Sequence, residues 1–229
     1  MVIDPFLFEF GSLYESMKDF QRRIYTKNEK NIEPRKYIID ELIEKILKGK
    51  YLHESGNDYL LQVDGRKINI AYSSSGQQET LPLAIILKVL TSIHFIREGT
   101  TIYIEEPEAH IFPTTQKNIV ELISCIFNTP KSELQFFITT HSPYILSSFN
   151  NLMHAGVLEN NFNKNQKEKL YKIIPKELII DPKLVNAYSL EFNNYQDLIN
   201  HETSLIDTNI IDSVSDEISI QFDDLLNIE

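Results

Sequence analysis

Cysteine and basic residues are scarce in this 229-residue sequence, and long apolar runs are absent from it. The single cysteine, Cys125, lies in the apolar run ELISCIF, which predicts a buried free thiol and fits a reducing, cytoplasmic location. No apolar stretch has membrane-spanning length, and the first residues, MVIDPFLFEF, lack the basic segment of a signal peptide. We therefore expect no membrane partner.

The shortage of positive charge bears on possible partners. Asp and Glu number 33 against 22 Lys and Arg, which gives a net charge of −11. Binders of nucleic acid usually carry a basic face, so nucleic acid stays possible as a partner but is not supported by charge. Residues 202–229 contain eight acids and neither Lys nor Arg, which predicts an acidic C-terminal tail over residues 201–229, solvated or partly disordered.

The first 70 residues have the pattern of a helical and β-hairpin segment. GSLYESMKDFQRRIYTKNEK predicts a polar helix, and PRKYIIDELIEKILKGK predicts an amphipathic helix with Pro34 near its start. Three short alternating runs follow, KYLHE, DYLLQV and KINIAY, with Gly-Asn and Asp-Gly between them. Turn residues between alternating runs are typical of a hairpin or a small meander.

The middle of the chain predicts an α/β fold with a parallel sheet at its core. A helix is predicted from about Gln77 to Arg97, and its residues from Leu81 to Ile96 are apolar nearly all round, so it should be buried. TTIYIE and LQFFITT are continuous apolar strands that flank the helical pattern TTQKNIVELISCIFN, and such strands are typical of a buried parallel sheet. Further on, SPYILSSFNNLMHAGVL predicts a helix, ENNFNKNQKEK a surface loop, and LVNAYSLEF with NYQDLIN a strand pair.

Polar residues follow both apolar strands at the point where each strand ends. Glu105 and Glu106 end the first strand, and Thr140 and His141 follow the second. Parallel sheets carry functional groups at the carboxyl ends of their strands, so we expect Glu106 and His141 at one edge. The run SSSGQQ at residues 73–78 starts a helix, where free N–H groups and the helix dipole favour an anion. Together these features suggest phosphate chemistry.

YSSSGQQE, TIYIEEPEAHIFP and FFITTHSPYIL, in this order, resemble the second half of an ABC-type ATPase head. The similarity is greatest to OLD-like and SMC-like chromosome-maintenance or repair ATPases, a branch of AAA-type core ATPases, and covers roughly residues 40–200. The resemblance implies a P-loop NTPase-like fold, with an ATPase C-terminal lobe over residues 71–200 and ATP and Mg²⁺ as cofactors. It also suggests a dimer of heads and a role in DNA maintenance or anti-phage defence.

The resemblance implies a role for each matching residue. Ser74, Ser75, Gly76 and Gln77 correspond to the signature motif, which contacts the γ-phosphate of ATP held by the opposite head of a dimer. A glycine at position 76 would also let the backbone approach the phosphate closely.

In the same way, Glu105 corresponds to the Walker B acid that supports Mg²⁺ through water. Glu106 corresponds to the catalytic glutamate that orients the attacking water. His141 corresponds to the switch histidine that senses the γ-phosphate.

The sequence departs from the family pattern in three respects. Glu105 stands where Asp is usual, and Ser75 stands where glycine is common. No G-x-x-x-x-G-K-[ST] stretch is present, so the loop and lysine that grip phosphate are not in this sequence. We therefore expect the ATPase to be completed by a P-loop-bearing half or a second head, in a homo- or heterodimer.

Simpler interpretations compete at each position. Ser74 and Ser75 would cap the helix, with Gln77 or Gln78 completing a capping box. Glu108 and His110 would suggest a carboxylate–histidine metal site, which Pro107 disfavours because it prevents helical presentation. For the whole chain, the alternative to an ATPase lobe is a non-catalytic module that binds a partner ATPase head without turnover.

Overall fold

The computed structural model describes residues 12, 14–19, 34–54, 56–92, 99–130, 133–191 and 194–228. The chain forms two compact units, residues 1–139 and residues 140–229. The boundaries expected from the sequence after residues 70 and 200 stay predictions. Most of the predicted polar helix over residues 11–30 lies outside the described residues, although residues 14–19 are helical. Within the described part, no helix is long and apolar enough to cross a membrane.

The first unit begins with the predicted helix and meander. Helix α1 spans Pro34–Leu47, and strands β1 (Lys50–Glu54), β2 (Asn57–Leu61) and β3 (Lys67–Asn69) form an antiparallel sheet in that order. The last strand is shorter than the run KINIAY because Asn69 starts a 3-10 turn, accepting a hydrogen bond from Ala71 N at 2.9 Å. Helix α2 then spans Ser75–Ser92, and the predicted continuation to Arg97 lies outside the described residues.

The predicted strand–helix–strand unit is confirmed. Strand β4 (Thr100–Glu105) pairs in parallel with β5 (Leu134–Thr139), and α3 (Pro113–Phe127) connects them. Phe127 of α3 meets Phe136 of β5 edge-on, with ring centroids 6.4 Å apart. Cys125 on α3, the single cysteine of the sequence, is buried, as the sequence predicts.

The expectation that both strands are buried on both faces is wrong for the described residues. On the face away from Ile104, Tyr103 and Phe137 are exposed and stack against each other at 5.6 Å between ring centroids. The error arises because an aromatic side chain contributes to an apolar run whichever face of the strand it occupies. The two strands therefore offer an open aromatic surface.

The second unit contains three helices and two small antiparallel sheets among its described residues. Its elements are α4 (Pro143–Asn161), α5 (Lys164–Leu170), β6 (Tyr188–Glu191), β7 (Asn194–Asp197), β8 (Ile199–Asn200), β9 (Leu205–Ile206) and α6 (Asn209–Leu226). The pairing of β6 with β7 confirms the predicted late strand pair. Asn150 of α4 exchanges two hydrogen bonds of 2.8 Å with the backbone of Ile206, which fixes β9 against the helix.

Two segments expected to be irregular are helical instead. The run ENNFNKNQKEK, predicted as a surface loop, contains the end of α4 and most of α5. Helix α5 forms because Asn163 and Gln166 make a capping box, which satisfies N–H groups that a short polar helix would otherwise leave free. The acidic tail, predicted as solvated or partly disordered, forms α6, and its side chains over residues 217–228 are exposed, in line with the solvated alternative. Its apolar residues recur at helical spacing, but the prediction was based on its many acids instead.

Candidate functional site

Ser74 caps the start of α2. Its hydroxyl accepts a hydrogen bond from Gln77 N at 3.4 Å, and the Gln77 side-chain oxygen accepts one from Ser74 N at 3.2 Å. This reciprocal pair is a capping box, and Gln77 rather than Gln78 completes it. The other side-chain atom of Gln77, Nε2, donates to the carbonyl of Leu47 at 2.8 Å. The capping interpretation of SSSGQQ is therefore confirmed, and the side chain of Gln77 is engaged within its own unit.

Capping does not satisfy the whole first turn of α2. Gln77 N and Gln78 N both lie 3.0 Å from Ser74 O. Ser75 N and Gly76 N have no acceptor among the described residues. Free N–H groups of a first turn, together with the helix dipole, attract anions. The start of α2 is thus capped and still has donors that a phosphate would accept, so the two interpretations of SSSGQQ are compatible.

Gly76 packs against the loop that follows β4. A Cβ at this position would lie 2.6 Å from the carbonyl oxygen of His110 and 2.9 Å from Ile111 Cγ2. Glycine is therefore required here by close packing within the unit. The expectation that glycine serves phosphate approach is not needed to explain the residue. A substitution at Gly76 would disturb the fold before it could report on a nucleotide.

Glu106 directly follows β4, at the carboxyl edge of the parallel pair. Glu105 is opposite Thr139 in the strand register. The N–H of Glu106 donates to the carbonyl oxygen of Thr139 at 3.0 Å and approaches its hydroxyl at 3.4 Å. Both glutamates are exposed. The end of β5 thus fixes the backbone from which the Glu106 carboxylate projects.

The backbone of Glu106 is also in an uncommon conformation. Its φ is 42°, and that of His110 is 56°, in the left-handed region that side chains other than glycine rarely adopt. A hydrogen bond from Ala109 N to Glu106 O at 3.0 Å closes the turn that starts at Glu106 and precedes His110. Strained residues of this kind cluster at functional sites, where the surrounding structure holds them in place. The strain marks this loop as the best candidate for a functional site in the first unit.

A hydrogen bond fastens the same loop to α2. His110 Nδ1 lies 2.8 Å from Glu79 Oε2, and both side chains are substantially exposed. Together with the contact at Gly76, the pair holds the start of α2 beside the loop after β4. Sequence reasoning missed these contacts of Glu79 with His110 and of Thr139 with Glu106, because each joins residues more than 30 positions apart. No local pattern signals such a contact.

His141 belongs to the second unit. It is exposed and precedes Ser142, which caps α4 by accepting from Tyr144 N at 3.2 Å. Thr140 in turn accepts from Ser142 N at 3.0 Å, so these two hydroxyls cap the loop before α4. Because His141 and Glu106 are in different units, their expected meeting at one sheet edge stays a prediction.

The residues present suit a nucleotide-bound Mg²⁺ better than a protein-only metal site. Among the described residues, no group of three or more His, Cys, Asp or Glu is arranged to hold a metal ion. Mg²⁺ at phosphoryl-transfer sites is bound by one or two carboxylates together with water and substrate phosphates. The exposed carboxylate of Glu105, at the sheet edge, is a donor of that kind.

Comparison with known proteins identifies the family. Residues 9–146 match the family model of the AAA ATPase domain, which is more than half of the chain. The chain therefore belongs to the AAA ATPase domain family, whose members are nucleotide-binding ATPases and typically use Mg²⁺. The matched region contains the capped start of α2, the strained loop after β4 and His141. No curated protein matches the sequence.

Proposed function

We propose that this chain is the signature, Walker B and switch-histidine lobe of an ABC-type ATPase head of the OLD-like and SMC-like kind. It hydrolyses ATP once a P-loop-bearing half or a second head completes the site. By analogy with the ATPases it resembles, the hydrolysis serves DNA maintenance or anti-phage defence.

One observation carries the proposal. An exposed acid, Glu106, is held in left-handed backbone at the carboxyl edge of a parallel strand pair, and its loop is packed against a helix N-terminus. Phosphoryl transfer needs an oriented water and donors for the phosphate charge. Glu106 would orient the water, and Ser74 with the free N–H groups of Ser75 and Gly76 would meet the phosphate. Gln77 supports the same turn through its capping contacts.

Two further residues have roles in this mechanism. Glu105 would hold a nucleotide-bound Mg²⁺ through water, and that ion would supply positive charge to the phosphates. His141 would sense the γ-phosphate from the start of the second unit. Both roles rest on the resemblance of EEPEAH and TTHSP to the family motifs.

The open surface of the strand pair supports the proposal that another half of the fold, which bears the P-loop, packs against it. Parallel sheets are almost always covered on both faces, and two strands are fewer than a stable sheet usually needs. In the described residues β4 and β5 pair only with each other, and Tyr103 and Phe137 stay exposed. A P-loop-bearing half that extends this sheet and covers these rings would complete both the fold and the nucleotide site.

The second candidate is a non-catalytic module that binds a partner head. It is favoured by the engagement of the Gln77 side chain with Ser74 and Leu47, which removes one signature side chain from nucleotide contact. The longer acid at Glu105 also fits this alternative. Turnover by the completed assembly distinguishes the two, because a module of this kind would assemble without hydrolysing ATP.

The deciding experiment uses Glu106→Gln in the completed ATPase. The substitution keeps the shape of the side chain and removes the charge that orients water, so we expect ATP binding to persist. The rate of phosphate release should fall by about 100-fold or more. The measurement is steady-state phosphate release beside equilibrium ATP binding by the same assembly.

The matched control is Glu133→Gln, the same change on an exposed acid just before β5, at the opposite end of the strand. Its turnover should equal that of the wild type. A Glu106→Gln assembly that turns over within about threefold of wild type would remove Glu106 from this role.

A further inference from the structure

Helix α6 exposes a row of large apolar side chains. Ile218, Phe222 and Leu225 are 59%, 59% and 63% exposed, and Leu226 beside them is 56% exposed. Single exposed apolar residues are ordinary on a protein surface, whereas a contiguous row of them marks an interaction site. The row therefore calls for a covering partner.

These side chains share one face of the helix. Positions 218, 222, 225 and 226 follow the i, i+4, i+7, i+8 spacing of an apolar stripe. Ile220 is 63% exposed but is turned by roughly 200° from Ile218, on the opposite face. We name the row Ile218, Phe222, Leu225 and Leu226 the apolar face of α6.

The charged residues that flank the apolar face are all acidic. Glu217, Asp223 and Asp224 are exposed on the remainder of the helix, and residues 202–229 contain neither Lys nor Arg. Asp223 and Asp224 are also in the last turn of α6, which has no basic residue. Negative charge at a helix C-terminus is destabilising because the dipole is negative there. The helix thus lacks, within its own sequence, the positive charge that would stabilise its end.

Charge decides which occupant fits. A second copy of this chain would bring acidic faces together, and like charges across an interface repel. Nucleic acid and anionic membrane surfaces are disfavoured for the same reason. An apolar groove with lysine or arginine at its rim would bury the row, pair with the flanking acids and offset the dipole at the last turn.

We propose that the apolar face of α6 docks into such a groove, an apolar channel rimmed by lysine and arginine on a partner protein. This interaction is separate from the ATPase proposal and does not depend on it. Affinity comes from burial of Ile218, Phe222 and Leu225. Orientation comes from the acids, which select a basic partner over a neutral or acidic one.

The test measures binding of the full chain to a synthetic basic helix. The labelled probe has about four heptads, with leucine at the two core positions and lysine at the two flanking positions of each heptad. We expect the wild-type chain to bind it, and Phe222→Ser with Leu225→Ser to weaken binding by at least about tenfold. Raising the salt from ~50 to ~300 mM should weaken wild-type binding because the charges are exposed.

Ile220→Ser is the matched control, since Ile220 is as exposed as Leu225 on the same helix and faces away from the row. Its affinity should stay within about twofold of wild type. A probe with glutamate in place of lysine should not bind. Circular dichroism checks that each variant folds. If the double variant does not fold, Asp223→Asn with Asp224→Asn keeps the apolar face and should weaken binding by about fivefold.

Four outcomes would overturn the proposal. These are failure of the wild type to bind the basic probe, equal binding of the acidic probe, equal loss of binding in Ile220→Ser, and no loss in the face or charge variants. Sedimentation equilibrium of the chain alone tests the remaining possible occupant of the apolar face, a second copy of this chain. Self-association that Phe222→Ser with Leu225→Ser abolishes would identify a second copy as the partner instead.

Discussion

At the scale of single residues, Asp58 on β2 is an acceptor for three neighbours. Lys18 Nζ lies 2.8 Å, Tyr51 OH 2.7 Å and His53 Nδ1 2.5 Å from its carboxylate oxygens. Burial by itself raises the pKa of Asp58, but the hydrogen bonds from His53, Lys18 and Tyr51 outweigh it and lower the pKa below its usual range. The charged carboxylate is therefore a stabilising part of the first unit.

We expect Asp58→Asn to lower the free energy of unfolding by about 2 kcal/mol at neutral pH, because the buried Lys18 loses its counter-charge. The lowered pKa means that this stabilisation is complete above the unfolded pKa of about 4 and is lost as the pH falls through the lower folded value. The difference between variant and wild type should shrink in acid. Urea unfolding of wild type and variant, at neutral pH and again in acid below the unfolded pKa, measures this difference in the free energy of unfolding.

The control for this prediction is Asp64→Asn. Asp64 bonds to Arg66 in an exposed turn, and exposed pairs contribute little. Its effect should stay within about 0.5 kcal/mol. Equal effects of the two substitutions would mean that the Asp58 cluster is not the stabilising feature described.

At the scale of elements, the start of α2 is fixed by its cap and by its contact with the loop after β4. Ser74→Ala removes the cap and should cost about 1 kcal/mol. Gly76→Ala would stabilise an open helix by about 1 kcal/mol, but here its Cβ meets the carbonyl of His110 at 2.6 Å. We therefore expect Gly76→Ala to destabilise by about 1–3 kcal/mol. Urea unfolding without nucleotide gives the sign.

Ser75→Ala, at an exposed position of the same turn, is the control and should be nearly neutral. Stabilisation by Gly76→Ala would contradict the contact with His110. If the contact holds, Ser74→Ala is the variant suited to testing nucleotide recognition, since a loss of ATP-dependent association well beyond the cap energy would come from the phosphate.

At the scale of the whole molecule, the 229-residue sequence has an acid pair after a strand and a signature-like turn but no G-x-x-x-x-G-K-[ST] stretch. Without a backbone nest and lysine to grip the β- and γ-phosphates, we expect the 229-residue chain alone to bind ATP with a Kd weaker than about 1 mM. Calorimetry with Mg²⁺ and ATP measures this, and the assembly with a P-loop-bearing half is the positive control. Tight ATP binding by the chain alone would refute the proposal that a separate P-loop-bearing half supplies the phosphate-gripping loop.

The sequence by itself determined the features that depend on neighbouring residues. The alternating runs before residue 70, the apolar strands around α3 and the acid pair ending β4 are all visible in it, because strand and helix periodicity is a local property. The same motifs predict an ATPase, and the match over residues 9–146 confirms an AAA ATPase domain, whereas the ABC-type, OLD-like and SMC-like placement stays a proposal. For Ser74 the sequence left two interpretations open, a helix cap and a phosphate contact, because both use the same residues.

Only the tertiary structure decided the features that join distant parts of the chain. The contact of Gly76 with His110, the pair of Glu79 with His110, and the bond from Lys18 to Asp58 link residues 31 to 40 positions apart. Likewise, an apolar run does not tell which face of a strand is covered, so the exposure of Tyr103 and Phe137 could not be foreseen. The physical reason is that burial and close contact depend on what packs against an element, whereas periodicity depends on the element alone.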